Sequence, residues 1–78
     1  MDPITPERLL SLGFHFLEGN KYYKIEVGKT AFGVVQKGGT WMCSPIPMQF
    51  ASLLSVHTIE DIDSIIFDNT GIHLPSIN

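Results

Sequence analysis

Positive charge is scarce in this chain, and it is missing altogether from the last quarter. Five lysine or arginine side chains stand against eight aspartates and glutamates, which gives a net charge of −3 over 78 residues. Residues 1–57 sum to +1 (5 − 4), whereas residues 58–78 carry four acidic and no basic side chains and sum to −4. A nucleic-acid-binding surface needs clustered lysine and arginine to displace counterions from the phosphates. The charge distribution therefore argues against nucleic acid as a partner.

Cysteine and long apolar runs are equally scarce. Cys43 is the only cysteine, so no disulfide can form within the chain. No apolar stretch approaches the roughly 20 residues that a membrane-spanning helix needs. Met1-Asp2-Pro3 has neither the basic start nor the apolar core of a signal peptide. These absences predict a cytoplasmic protein that does not contact a membrane.

The overall composition is that of a small globular domain. Hydrophobic residues make up 44% of the chain and charged residues 17%, proportions that are typical of a folded protein rather than a disordered one. A chain of this length predicts one domain over residues 1–78. The low charged fraction also indicates that part of the surface is apolar, and self-association would be one way to bury it.

The clearest element is an amphipathic helix near the end of the chain, expected over residues 59–69. Thr58 fits the N-cap position, and Asp61 follows at the spacing where a carboxylate can reach back to the N-cap N–H. Gly71 is placed to end the helix in the left-handed conformation. Four isoleucines recur at helical spacing and form one apolar stripe, which a sheet should cover: Ile59, Ile62, Ile65 and Ile66.

A shorter helix is expected near the start of the chain, over residues 6–12. Thr5 fits its N-cap, and Pro6 fits the first helical position, where the missing N–H costs nothing. Gly13 is placed to end this helix, and Phe14 can then fold back on Leu9. Because two helical turns are not stable alone in water, this helix must dock on another part of the fold.

The chain between the two helices predicts an antiparallel meander of three to five strands. Strands are expected over residues 14–18, 21–27, 30–36 and 40–44, where apolar and polar residues alternate. Gly19-Asn20, Gly28-Lys29 and Gly38-Gly39 fit the tight turns between them. Pro45 and Pro47 should interrupt the ladder because proline has no N–H to donate. Residues 48–56 fit either a fifth strand or an extended approach to the second helix.

These elements together predict an α+β fold. Consecutive strands joined by tight turns pair antiparallel, and such a sheet can be solvated on one face. The N-terminal and C-terminal helices are expected to pack together on the other face, giving a two-layer domain.

The two ends of the chain carry a recognisable set of residues: Thr5-Pro6-Glu7, Leu9-Leu10 and Leu12-Gly13-Phe14 at the start, and Thr58 to Ile62, Thr70-Gly71 and Leu74 at the end. This pattern resembles a group of short proteins from phages and conjugative elements of Bacteroidetes. In that group a tyrosine-rich strand and a tryptophan-bearing strand follow the first helix, where this chain has Tyr22-Tyr23 and Trp41. Asn69 departs from the pattern, which usually has leucine there. No activity is assigned to the group, so the resemblance implies a mobile-element origin and not a reaction.

The histidines do not form a metal-binding pattern. Zinc sites use three or four ligands at characteristic spacings, whereas His15, His57 and His73 lie far apart in the sequence. Cys43 has no second cysteine nearby. We therefore expect neither a metal site nor any other cofactor.

The sequence also lacks a catalytic constellation. A reactive cysteine needs a base and a lowered pKa, and the position of Cys43 within a short strand supplies neither. Glu60, Asp61 and Asp63 occupy the first turns of a helix, where the helix dipole favours negative charge without any catalytic role. We expect no catalytic residues and no enzymatic activity.

Four side chains are candidates for a protein-interaction site. Tyrosine, tryptophan and methionine are enriched at protein interfaces. Strand alternation places Tyr22 and either Trp41 or Met42 on the sheet face that points away from the helices. Phe67 lies outside the isoleucine stripe, so it either folds over the helix end onto Ile72 or is exposed.

These features predict a non-enzymatic protein-interaction module of phage or mobile-element origin that forms a homodimer. An alternative is a small acidic inhibitor of a host nuclease or defence complex, in which the acidic residues 58–78 would take the place of nucleic-acid phosphates. The expected partner is a protein in both cases, either a second copy of this chain or a host protein.

Overall fold

A computed structural model describes residues 2–47, 49 and 52–74 of the chain. Its elements follow in the order α1 (Pro6–Ser11), β1 (His15–Leu17), β2 (Tyr22–Val27), β3 (Thr30–Lys37), β4 (Thr40–Pro45), β5 (Leu54–Val56) and α2 (Ile59–Thr70). The five strands form one sheet in sequence order, and every neighbouring pair is antiparallel. The predicted α+β class and antiparallel meander are therefore confirmed.

The undecided stretch 48–56 contains a short fifth strand. Residues 54–56 form β5, which pairs with β4 and places Val56 opposite Trp41. Met48, Phe50 and Ala51 lie outside the described residues. No helix within the described part of the chain is long and apolar enough to cross a membrane.

The cross-strand register separates the sheet into two faces. One face, here called the core face, carries the strand residues of the hydrophobic core, with Ile25 opposite Phe32 and Val34 opposite Cys43. The other, the outer face, carries the alternate residues, such as Met42 opposite Ser55. Because strand side chains alternate, the register position of each residue determines the face on which its side chain lies.

Both helices contribute side chains to the same hydrophobic core. Leu9 of α1 and Ile59, Ile62 and Ile66 of α2 are fully buried, and they belong to one cluster with the strand residues of the core face. Ile65 is partly buried and packs against that cluster. The isoleucine stripe predicted from the sequence is thus the surface through which α2 joins the core.

The predicted helix caps are present and account for where the helices begin and end. Thr5 accepts from the N–H of Arg8 at 3.0 Å, and Thr58 accepts from the N–H of Asp61 at 3.2 Å. Asp61 in turn accepts from the N–H of Thr58 at 3.2 Å, which completes a capping box. Gly71 ends α2 with a φ of 75°, a left-handed conformation that favours glycine. The observed helices differ from the predicted ranges by one residue at their C-terminal ends.

β4 ends within the proline-containing segment 45–47, as expected, but it extends one residue beyond the predicted range, to Pro45 opposite Phe32. The next N–H, that of Ile46, donates to the carbonyl of Ala31 at 2.8 Å. In an antiparallel ladder only alternate residues direct their N–H toward a given neighbour. Pro45 therefore occupies a position where β3 requires no donor, and it lies beyond the residues that pair with β5.

Candidate protein-interaction site

A groove lies on the outer face of the sheet. Tyr22, Val35 and Met42 are neighbours on β2, β3 and β4 and are half-buried. Gln49 and Leu53, from the connection between β4 and β5, line the same groove, which has a volume of about 460 Å³. We call this surface the outer groove; its described lining residues are Asn20, Tyr22, Val35, Lys37, Met42, Gln49, Leu53 and Ser55.

The outer groove is apolar and carries a single positive charge among its described lining residues. Tyr22, Val35, Met42 and Leu53 supply the apolar surface, and Lys37 is the charged residue. Its volume falls within the roughly 300–1,000 Å³ of typical ligand pockets, but the groove is partly open to solvent. Such a surface can accept an apolar side chain of a partner, with a negative charge beside it.

The structure brings together two of the four predicted interaction residues. Tyr22 and Met42 both line the outer groove. Trp41 lies on the core face, where it is partly buried against the core, with its ring centroid 6.2 Å from that of Tyr23. Cys43 shares that face and is fully buried. Since alternate residues share a face, Met42 is the one of the two alternatives that points outward.

Phe67 lies apart from the groove, at the C-terminal end of α2. Its side chain is 43% exposed, and its ring stacks on the imidazole of His73 with the centroids 4.3 Å apart and the planes inclined by 14°. The aromatic ring therefore stacks on His73 while remaining partly exposed. Ile72 instead approaches the β2–β3 turn, where its Cδ1 would lie 3.2 Å from a Cβ added at Gly28.

The imidazole that stacks on Phe67 is also paired with a carboxylate, that of Asp63, and the sequence did not predict this pair. Asp63 is only 7% exposed. Its Oδ2 lies 2.6 Å from His73 Nδ1, and its Oδ1 accepts from the N–H of Leu74 at 2.6 Å. A signal was present, because Asp63 borders the isoleucine stripe and a buried carboxylate requires hydrogen-bond donors. The sequence did not show which residues would supply them.

The Asp63–His73 pair holds the chain segment that follows α2. Carboxylate-bound histidines also occur in catalytic sites, where they act together with a nucleophile. Cys43 does not supply such a nucleophile, because burial raises the pKa of its thiol to about 12.

Within residues 2–47, 49 and 52–74, no three histidine, cysteine or acidic side chains lie close enough together to hold a metal ion. The absence of a zinc site remains a prediction.

Comparison with known proteins does not assign the chain to a family. No protein-family model matches it, and no curated protein or solved structure matches it at a significant level.

Proposed function

We propose that this protein is a non-enzymatic interaction module that associates with further copies of itself through the outer groove. The observation that carries the proposal is the row of Tyr22, Val35 and Met42 on a sheet face that points away from the core. Tyrosine and methionine are enriched at interfaces, and methionine adapts readily to the shape of a partner. In this proposal both helices cover the core face, which leaves the outer face free for the partner.

The sheet edges offer less to a partner than the outer face does. Both edge strands, β1 and β5, are only three residues long. The N-terminal residues also pair beyond the end of β5, where Pro3 bridges Thr58 and the N–H of Ile59 donates to the carbonyl of Asp2 at 2.7 Å. Short and partly covered edges are a common protection against edge-to-edge pairing. Association through the outer groove is therefore favoured over pairing of another chain's strand at a sheet edge.

The alternative role as an acidic inhibitor receives less support from the arrangement of α2. Asp63 is buried and bound by His73 and Leu74. Asp61 accepts backbone N–H groups at the N-cap, and Glu60 accepts from the backbone N–H of Asp2 at 3.3 Å. Three of the four acidic side chains on this helix thus have partners within the protein. The fourth, Asp68, has none among the described residues and is available to imitate phosphates.

The remaining parts of the proposal concern origin and environment. We propose a phage or mobile-element source, on the resemblance of both ends of the chain to that group. A cytoplasmic location and the absence of nucleic-acid and membrane partners complete the proposal. The sparse positive charge, with five basic residues in 78, supports the exclusion of nucleic acid.

Sedimentation equilibrium at micromolar to millimolar concentration tests the self-association. The wild-type protein should show a mass above the 8.7 kDa of one chain. Met42→Glu should shift the protein toward the monomer, because it places a charge in the apolar groove. Gln36→Glu is the matched control, since Gln36 is exposed on the neighbouring strand but points to the opposite face. A wild-type monomer at the highest concentration would exclude self-association and favour the inhibitor.

A further inference from the structure

The outer groove can accept an apolar side chain, and the chain itself carries an exposed one at the end of α2. We infer that these molecules associate head to tail, with the stacked aromatic pair at the end of α2 in one copy seated in the outer groove of the next. We call this pair with its neighbouring acid the knob: Phe67, Asp68 and His73. The inference rests on the proposed self-association and names the surface that fills the groove.

The knob is exposed but is held in place. Phe67 is 43% exposed and the His73 side chain 57% exposed, although the two rings lie in contact. Asp63 fixes the imidazole through Nδ1 and fixes the following backbone through the N–H of Leu74, both at 2.6 Å. Side chains that are already ordered lose less conformational entropy on binding. An exposed, preorganised aromatic pair is therefore well suited to anchor an interface.

The charges around the groove and the knob are complementary. Lys37 is the only charged residue among the described lining residues of the groove, whereas Asp68 follows Phe67 on the exposed side of α2. All four lysines of the chain lie within residues 21–37, and every charged side chain of α2 is acidic. With Phe67 in the apolar groove, the neighbouring Asp68 can approach Lys37. This pairing favours knob in groove over groove against groove, which would bring two copies of Lys37 together.

The positions of the two surfaces determine the type of assembly. The groove lies on the outer face, while the buried side of α2 joins the cluster that includes the core-face residues. Knob and groove are thus unlike surfaces on different layers of the fold. A two-fold dimer would need the knob and the groove of each copy to face the same partner copy. Because the two surfaces lie on different layers, we expect a heterologous contact, in which each added copy leaves one free knob and one free groove. Association then continues beyond a dimer unless the chain of copies closes into a ring.

Mixing two blocked variants tests this arrangement directly. Met42→Glu blocks the groove but leaves the knob, and Phe67→Ala removes the knob but leaves the groove. Each variant alone should sediment as a monomer of 8.7 kDa. An equimolar mixture should form a 1:1 complex and stop there, because only one productive contact exists. Circular dichroism of each variant verifies that it is folded.

Charge reversal tests the same contact with milder changes. Lys37→Asp and Asp68→Lys should each weaken association by about tenfold or more, which corresponds to roughly 1.4 kcal/mol. Combining both reversals in one chain should restore association. Glu7→Lys, in the exposed first turn of α1 and outside both the groove and the knob, is the control for charge reversal and should associate as the wild type does.

The possible results separate the inference from the proposed function. A wild-type protein that is monomeric at all concentrations overturns both. If the wild type assembles but the mixed blocked variants stay monomeric, the head-to-tail contact is wrong while self-association stands. If Phe67→Ala or Asp68→Lys associated as strongly as the wild type, the knob would likewise be excluded as the binding surface, and the groove would remain as the interface.

Discussion

At the scale of single residues, burial decides what a side chain can do. Cys43 is the only thiol in the chain, and it is fully buried on the core face opposite Val34. Loss of hydration disfavours the thiolate, which raises the pKa of this thiol to about 12. Since the thiolate is the reactive form, a residue that could have been a nucleophile in another setting serves here as a small apolar side chain.

Alkylation of Cys43 measures this effect. At pH 8 the folded protein should react with iodoacetamide far more slowly than the protein unfolded in urea, because the raised pKa and the surrounding core both protect the thiol. Intact-mass spectrometry of samples taken over time gives the two rates, with a free cysteine peptide as the reference. Equal rates for the folded protein and the peptide would contradict the burial of Cys43.

At the scale of the element, α2 depends on its capping box. Thr58→Ala removes the hydroxyl that accepts from the N–H of Asp61, and it should lower the free energy of unfolding by about 0.5–2 kcal/mol. Urea denaturation followed by circular dichroism gives this difference. Thr58→Ser is the matched control because it keeps the hydroxyl and should remain close to the wild type. An unchanged midpoint for Thr58→Ala would show that the cap contributes little.

The same capping box predicts that the free energy of unfolding depends on pH in acidic solution. The N–H of His57 donates to the Asp61 carboxylate at 2.9 Å, and this bond, assisted by those from Thr58, lowers the pKa of Asp61 below its usual value. A carboxyl whose pKa is lowered by folding stabilises the protein above its unfolded pKa and loses that contribution as the pH falls through the folded value. The loss from this group should begin below about pH 4. Asp61→Asn should flatten this part of the stability profile measured by urea denaturation.

The isoleucine stripe is the second determinant of α2. Ile62 is fully buried in the core cluster, so Ile62→Ala should cost about 2–5 kcal/mol through lost burial and the cavity left behind. Ser64→Ala, on the exposed side of the same helix, is the control and should change stability little. A loss below about 1 kcal/mol for Ile62→Ala would show that the helix is peripheral to the fold.

At the scale of the whole molecule, association should be coupled to stability. A partner that binds only the folded state raises its stability by mass action. If further copies occupy the outer groove, the thermal midpoint of the wild type should rise with protein concentration, whereas that of Met42→Glu should stay constant. Differential scanning calorimetry over a hundredfold range of concentration measures both. A constant midpoint for the wild type would contradict self-association in that range.

Features that arise from residues close together in the chain could be predicted from the sequence alone. Thr58 and Asp61 are close enough in the chain to form a capping box, Gly71 can adopt the left-handed conformation wherever a helix must end, and Ile62 and Ile66 share a face because of helical geometry. The alternation of strands and the tight turns are local in the same sense, and they were enough to predict the meander.

Features that depend on residues far apart in the chain became visible only in the folded structure. The register between strands placed Met42 outward and Trp41 inward, although the alternation alone allowed either. The pairing with β3 allowed Pro45 to remain within a strand. The hydrogen-bond partners of Asp63, His73 and Leu74, lie ten and eleven residues later in the chain, beyond the turn at Gly71. Such pairings depend on how separate segments meet in space, and the spacing of residues along the sequence does not contain that information.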